Sequence, residues 1–336
     1  MNDEVEHKRL LIMKVLRESE LPLSSGKIHE QLLSEGIEVS ERTVRFHLLA
    51  LDSLGLTKYK GKKGRFLTTS GHEELAKTQV YHQVGYLSSK IDEMTCKMSF
   101  DPSSARGTVL INFSTIDKSY RDVIPDFVCP VFSSDLTHGV LMCLLDEGER
   151  IGDCIVTQGK FGIGTVCAIT FNGALIKAGI PVRSIFGGLL EISSGIPTRF
   201  TAIIHYDGTS LDPLEIYISS GMTSTISACI SGKGQIGASF REIPAAAREK
   251  TIEIDSLLKS RGLGGFLKLG YAGQSLLGIP VGDKRVGLVI AGGLNATAPL
   301  GEKGVPMKSN ALSGLIDYSK LFHYEELTKR LSQLKK

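Results

Sequence analysis

The chain has 336 residues, too many for one typical small domain, so two or three domains are expected. Hydrophobic residues make up 42% and charged residues 22%, which is typical of a globular protein in water. No apolar run reaches the roughly 18 to 20 residues that cross a bilayer, which argues against an integral membrane protein.

The N-terminus and the cysteines predict a cytoplasmic location. The first residues, "MNDEVEHKRLL", are charged and lack the apolar region of a signal peptide. None of the six cysteines forms a CxxC pair, and most lie in apolar runs such as "GVLMCLL". Scattered thiols of this kind argue against a disulfide framework, although a redox-sensing regulator that uses them stays an alternative.

The first predicted elements are two helices. Residues 6–20 have apolar side chains at helical spacing. Ser24 or Ser25 caps a second helix, and Gly36 suits its C-terminal stop.

A third helix is predicted between Ser40, a good N-cap residue, and Gly55. Val44, Leu48 and Leu51 recur at positions i, i+4 and i+7, so we expect them to face the core. Arg42, Arg45 and Leu49 then lie on the opposite side, with Phe46 beside them. His47 falls near the apolar side and is interpreted as a packed core histidine.

The next stretch, "KYKGKKGRF", predicts a short hairpin with a cationic tip, because Gly61 and Gly64 permit the positive φ angles of a tight turn. The segment from Arg42 to Arg65 holds seven cations against one acid, although the net charge of the whole chain is only +3. Such a concentration of positive charge is expected on a surface that binds a polyanion such as DNA.

Three helices followed by a basic hairpin predict a winged helix-turn-helix over residues 1–72. In this fold the third helix enters the DNA major groove, where Arg42 and Arg45 suit guanine, and Thr43 suits a phosphate or a base. The wing cations neutralise phosphates. Some winged helices bind proteins instead, an alternative disfavoured because helix and wing are cationic together. The predicted DNA-binding residues are Ser40, Arg42, Thr43, Arg45, Phe46, Lys58, Lys60, Lys62, Lys63 and Arg65.

Residues 73–99 are predicted to form one connector helix. Apolar residues recur there in a heptad pattern that could pair two copies in a homodimer. The alternative is a helix packed on its own domain. The heptad positions are Val80, Val84, Leu87, Ile91, Met94 and Met98.

The region from residue 100 to 325 predicts an α+β regulatory domain, because glycine, β-branched residues and turns become frequent. "GTVLINFSTI", "GIGTVCAITF", "TRFTAIIHY", "LEIYIS" and "RVGLVIAGGL" are interpreted as strands, and so are "TISACIS" and "ASFREI". "IPAAAREKTIEIDSLLKSRG" is the clearest helix, starting at Pro244 and stopped by Gly262.

An internal repeat divides this region into two related lobes, about residues 100–192 and 198–322. Each copy runs from a strand to an asparagine, a Gly-[Ile/Val]-Pro element and a cation–serine pair. Two lobes commonly leave a cleft in which a small ligand binds. The matching residues are Asn172, Arg183 and Ser184 in one copy, and Asn295, Lys308 and Ser309 in the other.

No motif assigns a catalytic or metal-binding residue. "GKGQIG" at residues 232–237 matches a dinucleotide fingerprint, but a strand rather than a helix is expected after it, so a hairpin turn is the better interpretation. The histidines lack metal-like spacing, and no GxSxG elbow, P-loop or tight carboxylate pair is present. We therefore predict a regulator without cofactor or metal; a metabolic enzyme with a winged-helix targeting module is the alternative.

The stretches "GKFGIGTVCAITFNGALIKAGIPV" and "VGLVIAGGLNATAPLGEKGVPM" resemble the NrpR nitrogen regulatory repressors of archaea, and the likeness covers nearly the whole chain. The resemblance implies a repressor of nitrogen-assimilation genes that binds a gapped palindromic DNA operator. It also implies release from DNA by 2-oxoglutarate. Many members carry two tandem regulatory domains, whereas this chain has room for one. The resemblance therefore also makes a partner plausible, namely a corepressor chain that carries further regulatory domains.

A dicarboxylate effector such as 2-oxoglutarate needs cations and hydrogen-bond donors. Because the repeat places Arg183–Ser184 and Lys308–Ser309 at equivalent positions, we expect them to converge on one cleft, one cation for each carboxylate. Asn172 and Asn295 complete the predicted effector-binding set.

Overall fold

The computed structural model describes residues 2–19, 21–82 and 86–334, which fall into two compact units, Met1–Val84 and Gly85–Lys336. Among the described residues, no helix is both long and apolar enough to cross a membrane. The first unit consists of α1 (Asn2–Glu18), α2 (Ser25–Ser34), α3 (Glu41–Ser53), β1 (Thr57–Tyr59), β2 (Arg65–Leu67) and α4 (Thr69–His82).

The predicted helix starts of the first unit are confirmed. The Ser24 hydroxyl accepts a hydrogen bond from the backbone N–H of Lys27, and the Ser40 hydroxyl accepts one from Thr43 at 3.1 Å. Each bond satisfies a donor that the first helical turn leaves free. The core of this unit is apolar and includes Ile12, Leu16, Ile28, Leu32, Val44, Leu48 and Leu51.

The predicted wing is a hairpin of β1 and β2, extended by a bridge to Leu23. Leu23 and Arg65 exchange two backbone hydrogen bonds of 2.9 and 2.8 Å. Gly64 has a φ angle of 101°, and a Cβ on it would lie 2.2 Å from the Leu23 carbonyl. The sheet therefore needs glycine at this turn both for its backbone angle and for space.

The segment predicted as a connector helix, residues 73–99, is divided between the two units. Among the described residues, α4 belongs to the first unit, and α5 (Tyr86–Lys97) belongs to the second. Of the heptad positions, Val84 and the side chain of Val80 lie outside the described residues. Leu87 and Ile91 are 3% and 2% exposed and pack against the core of the second unit. The alternative of a helix packed on its own domain therefore holds for α5.

The second unit is an α+β domain, as predicted. After α5, its helices are α6 (Ile124–Ser133), α7 (Ile169–Lys177), α8 (Pro213–Ser219), α9 (Thr225–Ser231), α10 (Arg248–Ser260), α11 (Ala298–Glu302) and α12 (Leu327–Leu331). Its strands are β3 (Thr108–Asp117), β4 (Leu141–Leu145), β5 (Arg150–Ile151), β6 (Cys154–Ile155), β7 (Lys160–Val166), β8 (Arg183–Ser193), β9 (Ile196–His205), β10 (Gly234–Pro244), β11 (Lys268–Leu269), β12 (Arg285–Ala291), β13 (Met307–Asp317) and β14 (Phe322–His323).

Two segments predicted as strands are helices. "LEIYIS" lies in α8, where the Asp212 carboxylate caps the backbone N–H of Leu214 and Pro213 takes the first helical position. "TISACIS" is α9, which ends at Gly232 in the left-handed conformation. "GKGQIG" therefore joins a helix to β10, so the predicted hairpin turn is wrong, while the strand predicted after it is confirmed.

The described part of the second unit has two antiparallel five-stranded sheets, in the orders β13–β3–β7–β4–β14 and β11–β12–β10–β8–β9, and a small two-stranded sheet of β5 and β6. The strands do not follow the predicted lobe boundaries. β8, the last strand of the predicted first lobe, pairs with β9 and β10 of the second lobe. In return, β13 pairs with β3 of the first lobe. The two halves of the repeat thus exchange their last strands.

Candidate DNA interface and effector pockets

The third helix of the first unit presents an exposed face of mixed chemistry. Phe46 and Leu49 are 63% and 62% exposed, although both are large and apolar. Arg42 is exposed at the start of α3 and has no ion-pair partner among the described residues. An exposed cation next to apolar side chains on a recognition helix suits base edges and the thymine methyl group.

The other predicted residues of this helix already have intramolecular partners. Arg45 donates to the Glu41 carboxylate at 2.6 Å and to the Ser25 hydroxyl at 3.2 Å. The Arg45 guanidinium and the Ser25 hydroxyl hold the pKa of Glu41 below its usual range. Ser40 and Thr43 share a 2.8 Å hydroxyl–hydroxyl hydrogen bond within the N-cap. Two of the five N–H donors of the Arg45 guanidinium are therefore already used within the chain.

The wing carries three exposed lysines and one arginine with a structural role. Lys58, Lys60 and Lys63 are exposed, and the side chain of Lys62 lies outside the described residues. Arg65 is half-buried and forms an ion pair of 2.7 Å with Asp52. Since that bond ties the wing to α3, the prediction that Arg65 contacts DNA conflicts with its position.

His47 is a packed core residue, as predicted. Its side chain is buried, and its Nδ1 atom has no hydrogen-bond partner among the described residues. Burial lowers the pKa of His47, with a further contribution from the positive charge of Arg9.

The structure separates the two cation–serine pairs that the repeat matched. Arg183 and Ser184 line an open pocket of about 360 Å³ together with His205 and Arg285. Lys308 and Ser309 line a different pocket of about 510 Å³. The two pockets share no lining residue. The prediction that the pairs converge on one cleft is therefore wrong, because β8 and β13 lie in different sheets.

The two matched asparagines also differ in role. The Asn172 side chain donates to the Ser184 hydroxyl at 3.0 Å and accepts a hydrogen bond from Arg241. Asn295 is fully buried, and its side chain bonds to backbone groups of Gly237 and Leu136. We conclude that Asn172 joins the Arg183 pocket to the interior, whereas Asn295 holds together the backbone of the core.

Sequence reasoning missed Arg241, a fully buried arginine on β10. Its guanidinium hydrogen-bonds to the Ala168 carbonyl, to Asn172 and to the Ser239 hydroxyl. The signal in the sequence is a lone arginine inside the strand-like run "ASFREI". A charged residue at a core-facing strand position is rare unless it is paired or functional.

The described residues hold no group of three or more side chains that could bind a metal ion. All six cysteines are free. Burial raises the pKa of Cys143 and Cys167 to about 12, which keeps both thiols protonated and unreactive at neutral pH.

Comparison with known proteins finds a matching family model for each of the two units. Residues 84–323 match the family model described as NrpR regulatory domains NRD1 and 2. Residues 10–75 match the model of the ribonuclease R winged-helix domain. A crystal structure of a nitrogen repressor-like protein from Methanococcus jannaschii superposes with a TM-score of 0.59 and 29% identity, covering 70% of this chain and 97% of that one.

Curated relatives match almost the full length of this chain. The global nitrogen regulator NrpRI of Methanosarcina mazei is 34% identical over 95% of this chain and 98% of its own length. The NrpR regulators of Methanocaldococcus jannaschii and Methanococcus maripaludis are 30% and 29% identical, and this chain spans only 54% and 56% of their lengths. The matched domain and these relatives place the chain in the NrpR family of nitrogen regulators.

Proposed function

We propose that the protein is a DNA-binding repressor of nitrogen-assimilation genes, and that 2-oxoglutarate controls its hold on the operator. The observation that carries the DNA-binding part is the exposed Arg42 and Phe46 face of α3 beside the lysine-rich wing. The relatives' names as nitrogen regulators support the choice of target genes. A repressor with this role acts in the cytoplasm, where the DNA is.

Contacts to DNA divide between base reading and phosphate neutralisation. Arg42 at the N-terminal end of α3 is placed to donate two hydrogen bonds to a guanine. Phe46 and Leu49 contact the major groove. Arg45 also contacts the DNA when its guanidinium turns from the Glu41 carboxylate to the DNA. The lysines of the wing, Lys62 included, neutralise phosphates and release counterions.

Substitutions of Arg42 and Lys63 separate these two roles. Arg42→Ala should weaken binding to the specific operator by about 1 to 3 kcal/mol and hardly change binding to random DNA. Lys63→Ala should weaken both and flatten the salt dependence by about one unit of slope. Fluorescence anisotropy at several salt concentrations measures both effects.

Arg17→Ala is the matched control, because Arg17 is an exposed cation of the same unit on α1, outside the recognition helix and the wing. It should bind operator as the parent does. Unchanged operator affinity in both the Arg42 and the Lys63 variants would remove α3 and the wing from the DNA interface.

The Arg183 pocket is the better candidate for the effector, because it offers two guanidiniums. Arg183 is exposed at the start of β8, and the ion-pair contact of Arg285 at the start of β12 within the described part of the chain is a long one of 4.0 Å to Glu242. Each arginine can hold one carboxylate of 2-oxoglutarate, and the Ser184 hydroxyl can donate a hydrogen bond to the oxo group of the same ligand. Both pockets also contain carboxyl groups, Asp92 and Asp207 beside Arg183 and Glu215 beside Lys308, so the choice rests on two guanidiniums against the lone cation of Lys308 in the lining.

The effector assignment predicts distinct outcomes for two variants. Arg183→Ala should fold and bind operator normally, lose calorimetric binding of 2-oxoglutarate by at least about tenfold, and no longer leave DNA with it. Arg199→Ala is the control, since Arg199 is an exposed arginine paired with Glu191 outside the pocket.

Lys308→Ala tests the other pocket. If it abolishes the response while the Arg183 variant keeps it, the effector binds beside Lys308 and Ser309. Binding that survives in both variants would place the effector elsewhere in the chain.

The proposed assembly is a homodimer on a gapped palindrome, since one winged helix reads only a half-site and two-fold operators need two. The dimer contact does not include Leu87 and Ile91, which are buried in their own domain. Because two relatives are almost twice as long, a corepressor chain with further regulatory domains is also proposed as a partner.

A further inference from the structure

The pocket beside Lys308 holds one cation and one carboxyl group that do not form an ion pair with each other. Lys308 is exposed at the start of β13, and no carboxylate in the described part of the chain forms an ion pair with it. Glu215 on α8 lines the same pocket, and one oxygen of its carboxyl group accepts a hydrogen bond from the backbone N–H of Ala311. Its other carboxyl oxygen has no partner among the described residues. The pocket thus offers an ammonium group and a carboxyl oxygen to a ligand.

The carboxyl group of Glu215 suits a cationic partner. Burial raises its pKa to about 7, and the negative charge of Asp212 adds to this shift. The Ala311 N–H and the positive charges of Lys90 and Lys308 act in the opposite direction. At neutral pH the group is therefore divided between its neutral and ionised forms. An ammonium group of a ligand placed beside it would favour the ionised form.

A hydroxyl group next to Lys308 adds a further polar contact. The Ser309 side chain lines the same pocket, and its hydroxyl lies 2.8 Å from that of Ser114, which in turn lies 3.3 Å from that of Thr297. A hydroxyl held in such a row can still form a hydrogen bond with a carboxylate bound at Lys308. The carboxylate of a ligand thus has two partners here, and its ammonium group has one.

The rest of the pocket is mainly apolar. The pocket is open and has a volume of about 510 Å³, within the range of small-molecule sites. Its walls come from α8, the turn after α11 and the start of β13. They suit an apolar side chain of a few carbon atoms, which would be removed from water there. The apolar lining residues are Leu211, Ile216, Ile218, Val305, Pro306 and Met307.

We propose that this pocket binds an α-amino acid with an apolar side chain, whose carboxylate is held by Lys308 and Ser309 and whose ammonium group is held by Glu215. The two charges of such a zwitterion match the two charged groups of the pocket one to one. The inference goes beyond the proposed function, because it adds a second ligand in a pocket separate from that of Arg183. It does not depend on the identity of the effector or on DNA binding.

Isothermal titration calorimetry of the full chain tests the site with L-leucine and L-methionine as probes. Two truncated analogues of leucine separate the charged contacts, since isocaproate lacks the ammonium group and isoamylamine lacks the carboxylate. At least one of the two amino acids should bind saturably, with one site per chain. Each analogue of leucine should bind at least about tenfold more weakly than leucine, because one charge of the pocket then has no partner.

Variants of the two charged residues connect this binding to the pocket. Lys308→Met and Glu215→Gln should each weaken binding of the amino acid at least about tenfold. Glu215→Gln keeps the oxygen that accepts the Ala311 N–H, so the fold should be preserved. Lys303→Met is the matched control, because Lys303 is an exposed cation of the turn after α11 that does not line the pocket. Arg183→Ala should also bind as the parent does.

Three results would overturn the proposal. The first is that the parent binds neither amino acid at millimolar concentrations. The second is that isocaproate binds as tightly as leucine, which would show that the ammonium group is not recognised. The third is that Lys308→Met and Glu215→Gln both keep the affinity of the parent, which would place the amino acid elsewhere in the chain.

Discussion

At the scale of single residues, the neighbours of each arginine decide what it does. Arg42 is exposed and has no ion-pair partner among the described residues, Arg45 is held by Glu41, and Arg65 is bound to Asp52. All three lie in one cationic stretch, so charge alone makes them equivalent. Only the positions of the acids separate an exposed arginine that we propose reads DNA from one that holds the wing on α3.

The carboxyl of Glu215 gives a prediction about pH. Burial raises its pKa to about 7, and the nearby Asp212 adds to the shift. Because the folded pKa exceeds the unfolded value of 4.5, the folded chain binds more protons, and the free energy of unfolding falls as the pH rises through this range. Glu215→Gln should lose this decline and gain about 1 to 2 kcal/mol relative to the parent between pH 5 and pH 8, less than the full linkage because Glu215 is partly exposed.

Urea denaturation of both proteins at several pH values measures this difference. A glutamine keeps the oxygen that accepts the Ala311 N–H, so the variant should fold. Glu253→Gln on the exposed side of α10 is the control and should follow the parent. A constant difference between the Glu215 variant and the parent across this range would show that Glu215 does not titrate there.

At the scale of elements, α5 shows how one apolar pattern fits two structures. The heptad spacing at Leu87 and Ile91 suits a dimer seam, but these side chains pack against Tyr206, Leu214 and Leu312 of the same domain. Spacing determines which face of a helix is apolar and does not determine what covers it.

Lysines at Leu87 and Ile91 should therefore unfold the second unit rather than split a dimer. Each places a charge in the core at a cost on the order of 3 to 5 kcal/mol. Circular dichroism should show loss of the second unit's cooperative transition. Ser89→Lys, on the exposed side of α5, is the control. A stable, folded monomer of Leu87→Lys with Ile91→Lys would instead favour the dimer seam.

At the scale of the whole molecule, the strand exchange makes the second unit one cooperative body. β8 has its hydrogen-bond partners in the second half of the repeat, and β13 has its partners in the first half. A cut between residues 192 and 198 would leave each half with a strand whose partners lie in the other half. The repeat inferred from the sequence therefore does not delimit two independent lobes.

The sequence by itself determined the winged helix, because that unit is specified by local signals. Ser24 and Ser40 cap helices, Val44, Leu48 and Leu51 mark a face, and glycines make the turn of the wing. Each signal acts within a few residues, so it can be read without knowing the fold. The α+β class of the second unit and the NrpR resemblance also followed from the sequence.

Only the tertiary structure decided which distant groups meet. It put Arg183 with Arg285 in one pocket, moved Lys308 to another, and buried Arg241 beside Asn172. These outcomes depend on strand order and on the exchange of β8 and β13, which are set by contacts between residues far apart in sequence. A repeat shows that two segments have similar sequences. A binding site depends on which segments lie next to each other in the folded chain.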